Sequence, residues 1–488
     1  MISRTRGLAP IVQLDACELS QRIHARGVSC REVMAAYLDH IRQLNPHVNA
    51  IVSLREPELL LREAGARDED LARGVSHGWM HGFPHAVKDL VATRGIRTTQ
   101  GSPLFADVVP EHDALLVQRL RRAGAIIIGK TNVPEFGLGS HTYNPVFGLT
   151  RNAYVPDRTA GGSSGGAAVA VALRMVPVAD GSDTGGSLRN PAAYNNVFGF
   201  RPSLGRVPRV PQSEVFFQPL GTDGPVGRTV ADLAHLLSIM AGYDVRAPLS
   251  LDADPLEFRQ PLQRDFKGRR LAWLGDWGGY LPMERGVLEC CEAALSAFES
   301  VGCSIEHVVP EFAADALWQA WLVLRQWFAL TALGPLYSDP AKRPKMKLEA
   351  QWEVENGLRL TAEKVLQASG VRSAWYATVI RMFERYDALL LPGAQLFPFD
   401  ANITWPRDVG GRSMDTYHRW MEIMIGATMA GLPAISVPAG FSSAGLPMGL
   451  QVIGPPRSDM AVLQLAYAYE QASRWVQRYP PGIGAFNV

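Results

Sequence analysis

The chain has 488 residues, 47% hydrophobic and 19% charged, with 48 basic against 47 acidic side chains and a formal charge of +1. That composition supplies ample apolar material for a sheet-centred core, and nothing in its charge balance favours nucleic acid or an anionic membrane as the main partner. Five cysteines (Cys17, Cys30, Cys290, Cys291 and Cys303) form no C-x-x-C pair, which argues against a disulfide framework or a zinc cluster and for thiols in a reducing cytosol.

Met1 to Pro10 carries Arg4 and Arg6 but no apolar leader, and no stretch has the length of a membrane span, so a cytoplasmic location is expected. Leu14–Arg26 and Ser29–Leu44 read as helices. The second opens with Ser29-Cys30-Arg31-Glu32, a capping box, and sets Val33, Tyr37, Ile41 and Leu44 on one stripe. Glu56–Arg73 reads as an exposed helix whose charges form a solvated face. From about His81 short apolar runs, glycines and helices alternate: strands are expected at His85–Leu90 and Ala125–Ile128, with helix Asp113–Ala123 between them. Further strands are expected at Val176–Ala179, Asp387–Leu391, Ala434–Val437 and Leu450–Ile453, and a closing helix at Asp459–Ser473. This rhythm predicts an α/β sheet with helices on both faces. Between Trp273 and Gln367, Trp318, Trp321, Trp327 and Phe328 recur at helical spacing, as in a helical core or cover; a lid over a substrate pocket is the second reading.

Three segments carry chemistry. Gly82-Phe83-Pro84-His85-Ala86-Val87-Lys88-Asp89 is a turn and an apolar strand ending in a lysine. A free lysine titrates near ~10.4, so Lys88 can act as a base near neutrality only if burial favours its uncharged form; taken alone, the segment reads more readily as a strand-end lysine reaching solvent. Ala160-Gly161-Gly162-Ser163-Ser164-Gly165-Gly166-Ala167 sets four glycines around two serines, a pattern that suits a constrained backbone pressed against a reacting centre. In Asp180-Gly181-Ser182-Asp183-Thr184-Gly185-Gly186-Ser187-Leu188-Arg189, the amides of Thr184, Gly185, Gly186 and Ser187 are placed to converge as an oxyanion hole. Neither glycine-rich stretch ends in the Gly-Lys-Ser/Thr of a phosphate loop. Gly161–Gly165 matches G-x-S-x-G, but the polar run Arg151–Thr159, with Pro156, is not the buried strand a nucleophile elbow requires.

Together, the lysine strand, G-G-S-S-G-G at 161–166 and D-T-G-G-S-L-R at 183–189 resemble the amidase signature family, over roughly Leu14 to Ser473. The serines lie 24 positions apart and Lys88 precedes Ser163 by 75. The resemblance implies one α/β domain over residues 1–488, with a mixed, twisted β-sheet covered by helices on both faces. Its parts would be a helical segment (about 10–75), a signature core (about 80–230), a helical cover (about 285–380) and a C-terminal sheet and helix (about 385–475). It implies Ser187 as nucleophile, Ser163 (after a cis peptide bond) as proton relay and neutral Lys88 as ultimate base. Asp183 and Arg189 would hold the loop, and Ser164 would support the relay or its loop. Gly137, Leu138, Gly139 and His141 match a region near the acyl pocket, although His141 by itself reads as a hydrogen-bonded surface histidine. Ala167 and Asn195-Asn196 depart from the common pattern without touching the relay.

The implied activity is hydrolysis of a linear carboxylic amide through an acyl-enzyme, without cofactor or metal and with a small amide as partner; the family also allows a homodimer. Phe216, Phe217 and the tryptophans at 318–327 suggest an aryl or hydrophobic substrate. Competing readings are the A subunit of a glutamyl-tRNA amidotransferase, a carbamate, urea or ester hydrolase of the same family, a non-catalytic binding protein, and an α/β-hydrolase pairing Ser163 with His418. Against the first, Lys342–Ser369 lacks the Tyr-Asp-Gly-rich pattern expected of such a protein.

Overall fold

The computed structural model describes residues 8–217 and 220–483; the leader-free reading of the first ten residues falls mostly outside them. Helix α1 (Ala16–His24) is capped by Asp15, whose carboxylate accepts the Glu18 amide at 2.8 Å. Helix α2 (Cys30–Val48) opens with the expected capping box: Ser29 Oγ accepts from Glu32 N at 3.1 Å, and Glu32 Oε2 from Ser29 N at 2.8 Å. Its stripe of Val33, Tyr37, Ile41 and Leu44 is buried. The helix runs past Leu44 through Pro46, because proline's fixed φ is helical and costs one main-chain bond near the end. Helix α3 (Pro57–Ala72) buries only Leu60 and Ala64.

Strands β1 (Ile51–Val52), β2 (Pro84–Lys88) and β3 (Ile126–Thr131) form a small sheet in the order β1-β3-β2, with helix α4 (Leu115–Arg122) joining the parallel pair β2 and β3. The strand–helix–strand unit legible in the sequence therefore builds a sheet of its own, outside the main one.

After the glycine-rich helix α5 (Gly165–Ala172), the main sheet begins with β4 (Ala179–Asp183). It continues through the short helix α6 (Arg189–Tyr194) to β5 (Phe198–Arg201) and β6 (Thr222–Gly227). Beyond helix α7 (Val230–Met240) come β7 (Arg270–Trp273), β8 (Ser304–His307), β9 (Ala388–Pro392), β10 (Ala434–Phe441) and β11 (Pro447–Ile453). The order is β8-β7-β9-β11-β10-β5-β6-β4, with β8, β7 and β9 parallel and the remaining neighbours antiparallel. β4 lies three residues beyond the expected Val176–Ala179. Its ladder pairs Ala179–Asp183 with Val226–Thr222, so the polar Asp-Gly-Ser-Asp stretch is strand, and its side chains are buried against partners on neighbouring elements.

Alternation along the central strands divides the interior. Ala388 and Leu390 of β9 enter one core, whereas Leu389 and Leu391 enter another on the opposite face. Helices α8 (Val287–Ser300), α9 (Ala314–Tyr337), α10 (Leu348–Leu358), α11 (Ala362–Phe383) and α12 (Asp459–Ser473) provide much of the cover. α8 and α12 bring Phe298, Leu463 and Tyr469 to the first core; α9 and α11 bring Leu317, Trp321 and Val379 to the second. The fold is an α/β domain with a mixed sheet flanked by helices, as the sequence led us to expect. Among the described residues no helix is long and apolar enough to cross a membrane. All five cysteines are free thiols.

Candidate active site

The site forms where β2 and β4, the ends of two separate sheets, are tied together. Asp180 on β4 accepts from the Lys88 main-chain N at 3.1 Å and contacts His85 Nε2 at 3.0 Å, both on β2. This fixes the strand end so that the Lys88 side chain runs inward, fully buried, and does not reach solvent. Its Nζ lies 2.9 Å from Ser163 Oγ, 2.7 Å from Ser164 Oγ and 3.0 Å from Ser182 Oγ. Burial pushes the Lys88 amine down to about 7, against Asp223, which favours the charged form. An amine among three hydroxyls, free to exist uncharged near neutrality, can take a proton from a hydroxyl.

The loop carrying Ser163 is held by close approach. The Gly162–Ser163 peptide is cis, as the family resemblance implies. Gly161 adopts φ +71°, and a side chain there would meet Asn190 Oδ1 at 2.6 Å; at Gly166 a Cβ would lie 2.4 Å from the Asn132 main-chain nitrogen. Gly166 thus lets the start of α5 sit directly on the β3 end, and Gly161 lets the loop pass against α6.

Ser187 stands on the turn between β4 and α6. Asp183, fully buried, organises this turn: it accepts from Gly186 N at 2.9 Å, Leu188 N at 3.2 Å, Arg189 Nε and Nη2 at 3.0 Å each, and Arg201 Nη1 at 3.2 Å. Burial alone would raise its pKa, but the Arg189 and Arg201 guanidiniums hold the carboxyl well below the usual range. Arg189 continues to Gln451 Oε1 at 2.6 Å and the Met424 carbonyl at 3.0 Å. Asp183 and Arg189 thus link the turn to Arg201, Gln451 and the Met424 carbonyl. Of the four amides expected to converge, Gly186 N already donates to Asp183, which leaves Thr184, Gly185 and Ser187. The two serine loops are joined by Ser164 N donating to the Ser187 carbonyl at 3.2 Å.

Ser163, Ser182, Thr184, Gly185 and Ser187 open into one cavity of about 370 Å³. Lys88 to Ser163 is a hydrogen bond; Ser163 and Ser187 share the cavity wall, without a hydrogen bond between their hydroxyls in this conformer. Gly137, Leu138 and Gly139 line the same cavity, and a side chain on Gly137 would stand 3.5 Å from Ser163 Oγ. Trp321 and Phe328 of α9 also line it, with Leu333 and Leu336, so the tryptophan-rich helix is part of the cavity as well as of the core. Trp318 stacks behind Trp321 at 5.0 Å between ring centroids.

Several expectations fail here. His141 is neither at the surface nor in the cavity: it is buried, accepting from Thr159 Oγ1 at 2.7 Å on Nδ1, with Nε2 3.1 Å from the Ala401 carbonyl. Burial pushes its pKa down to about 4. Phe216 and Phe217 are exposed and line a neighbouring groove with Trp327 and Leu366. His418 is packed between Tyr417 and Trp321, 2.9 Å from Thr416 and 3.4 Å from Glu353. It lies outside the cavity that Ser163 lines, so the Ser163–His418 pairing has no geometry. Sequence reasoning puts Ser182 and Asp180 in a loop and so misses both; with the strand shifted by three residues, alternation would have turned them towards β2. The cavity arginines Arg209 and Arg325 carry no sequence signal.

A mixed α/β scaffold that buries a lysine among serines beside a glycine-rich turn defines a class of amide carbon–nitrogen hydrolase. The family model described as Amidase matches residues 32–463, and the chain belongs to this amidase signature family. It is 34% identical to the glutamyl-tRNA(Gln) amidotransferase A subunit of Thermosynechococcus vestitus, covering 95% of this chain and 98% of that protein. In structure it is similar to a bacterial aryl acylamidase of the amidase signature family (TM-score 0.91, 28% identity, 98% and 100% coverage). It also resembles the Thermotoga maritima protein of the same amidotransferase type (TM-score 0.70, 29% identity, 96% and 95% coverage).

Proposed function

We propose that this chain is a stand-alone amidase that hydrolyses a linear carboxylic amide of aryl or other hydrophobic character through an acyl-enzyme on Ser187. Neutral Lys88 takes the Ser163 proton as Ser163 takes that of Ser187. Ser187 Oγ then attacks the amide carbonyl, and the carbonyl oxygen becomes an oxyanion facing the amides of Gly185, Thr184 and Ser187. The proton on Lys88 returns through Ser163 to the departing amine as the carbon–nitrogen bond breaks. Water, deprotonated by the same relay, attacks the acyl-enzyme and releases the acid. The observation that carries this reading is the buried Lys88 amine at 2.9 Å from Ser163 Oγ.

The amidotransferase reading has the curated relatives in its favour. Two observations favour the stand-alone enzyme. At nearly equal identity, the chain is closer in shape to the aryl acylamidase than to the Thermotoga protein. No aspartate or glutamate among the described residues lines the cavity, so the α-ammonium of a glutamine substrate would meet no countercharge, whereas Trp321, Phe328 and Phe136 suit an apolar group.

The test is the purified chain alone, given anilides and glutamine in parallel and labelled with a serine-reactive phosphonate. Anilide turnover without a second protein and label on Ser187, absent from Ser187→Ala, are expected. Label on Ser163, or glutaminase activity that emerges only with amidotransferase partner proteins, would reject the proposal.

A further inference from the structure

Most of the cavity lining from α9 is apolar, but two charged side chains also line the cavity: Arg325, on that helix, and Arg209. Each is neutralised from behind. Asp223 lies 2.8 Å from Arg209, and Glu353 lies 2.6 Å from Arg325; neither carboxylate reaches the cavity lining. The cavity surface therefore presents cationic N–H groups without acidic ones.

Arg325 is the deeper of the two, 7% exposed, and its planar fork is held on two sides. Nε donates to Glu353 Oε1, Nη2 donates to Tyr417 Oη at 2.8 Å, and Tyr417 Oη donates to the same Glu353 oxygen at 2.6 Å. The guanidinium carbon sits 5.2 Å from the centre of the Trp321 ring. A side chain on Gly185 would touch that indole at 3.2 Å, so Trp321 spaces Arg325 from the turn that carries Ser187. Nη1 has no partner among the described residues. A buried guanidinium fixed by a carboxylate and a phenol, with one nitrogen left over in a side chain that lines the cavity, is preorganised to receive an oxygen anion.

Resting on the amidase reading above, we infer that the substrate is an amide carrying a carboxylate remote from the scissile bond, and that Arg325 Nη1 binds this carboxylate across the Trp321 face. A carboxylate there accepts a charge-assisted bond, while a neutral analogue of the same shape leaves the donor unpaired. Arg325 is on this view a specificity-determining residue.

Binding can be measured without turnover, by calorimetry on the Ser187→Ala protein. The probes are succinanilate and 4-acetamidobenzoate, with the carboxylate on the acyl and amine sides respectively, against butyranilide and 4-acetamidotoluene. One acid should bind about tenfold or more tightly than its neutral partner. The preference should collapse in Arg325→Gln/Glu353→Gln, which removes both charges and leaves no carboxylate buried alone. If that double variant does not fold, Arg325→Lys, which keeps the ion pair but shortens the reach, should lower the preference. Equal binding of acids and neutral partners, or an acid preference that survives these substitutions, overturns the inference. Neither result touches the amidase reading, which stands or falls on phosphonate labelling of Ser187.

Discussion

At Lys88 a single desolvated amine sets the pH at which the site can work. Because burial brings its pKa to about 7, the neutral form grows as pH rises through that value. The kcat/KM for an anilide should therefore climb with pH up to about 7 and level off above it; a profile flat across that range would contradict the assignment. Lys88→Ala should lower kcat/KM by roughly 10²–10⁴, the usual worth of a positioned general base. Asp183 makes a different demand. Its carboxylate sits between two fully buried guanidiniums, and Asp183→Ala would leave both without a countercharge. A loss of about 3–5 kcal/mol in denaturant unfolding is expected. Since the folded pKa lies below the unfolded one, the stability tied to this carboxyl is complete above the ordinary carboxylate range and is lost as pH falls through the folded value.

The elements succeed or fail on contacts that periodicity does not register. Helix α5 is wholly glycine, alanine and valine and is buried throughout. It reaches β3 only because Gly166 lies against the Asn132 backbone. Gly166→Ala would press a methyl group into main-chain atoms that cannot rotate away; a destabilisation of about 1–3 kcal/mol is expected from chemical denaturation. The amphipathic helix α2 was legible because capping box and stripe are local signals. β4 and β6 were not, since their buried faces are polar or glycine-rich and gain their partners from remote strands: Asp180 from β2, and Ser182 from the pairing with Asp223. Lys88, Ser163 and Ser164 were legible as candidates, whereas Ser182 joined them only once β2 and β4 were adjacent.

Over the whole molecule, the first core runs from Val12 near the start of the described chain to Tyr469 in α12. The last helix is thus part of the interior rather than an appendage: Val462, Leu463, Ala466 and Tyr469 are buried, and Tyr469 Oη donates to the Pro438 carbonyl at 2.7 Å. Truncation after Ser458 should abolish the cooperative thermal transition and yield insoluble protein, because burying this apolar face contributes several kcal/mol. A truncated chain that still melts cooperatively would show that the core closes without α12.

The sequence by itself determined the class of fold, and through its family resemblance it marked a candidate reaction centre. Lysine, paired serines and glycines at fixed spacing are constraints on backbone and chemistry that few other arrangements share, and helical caps and stripes are written within a turn or two. Tertiary structure alone decided that β2 stands in a second sheet, that Ser182 joins the lysine, that His141 is walled off, and that two arginines face the cavity with their carboxylates behind them. Each of these is a contact between residues distant in the chain, set by which faces pack together, and such contacts leave no periodic trace in one sequence.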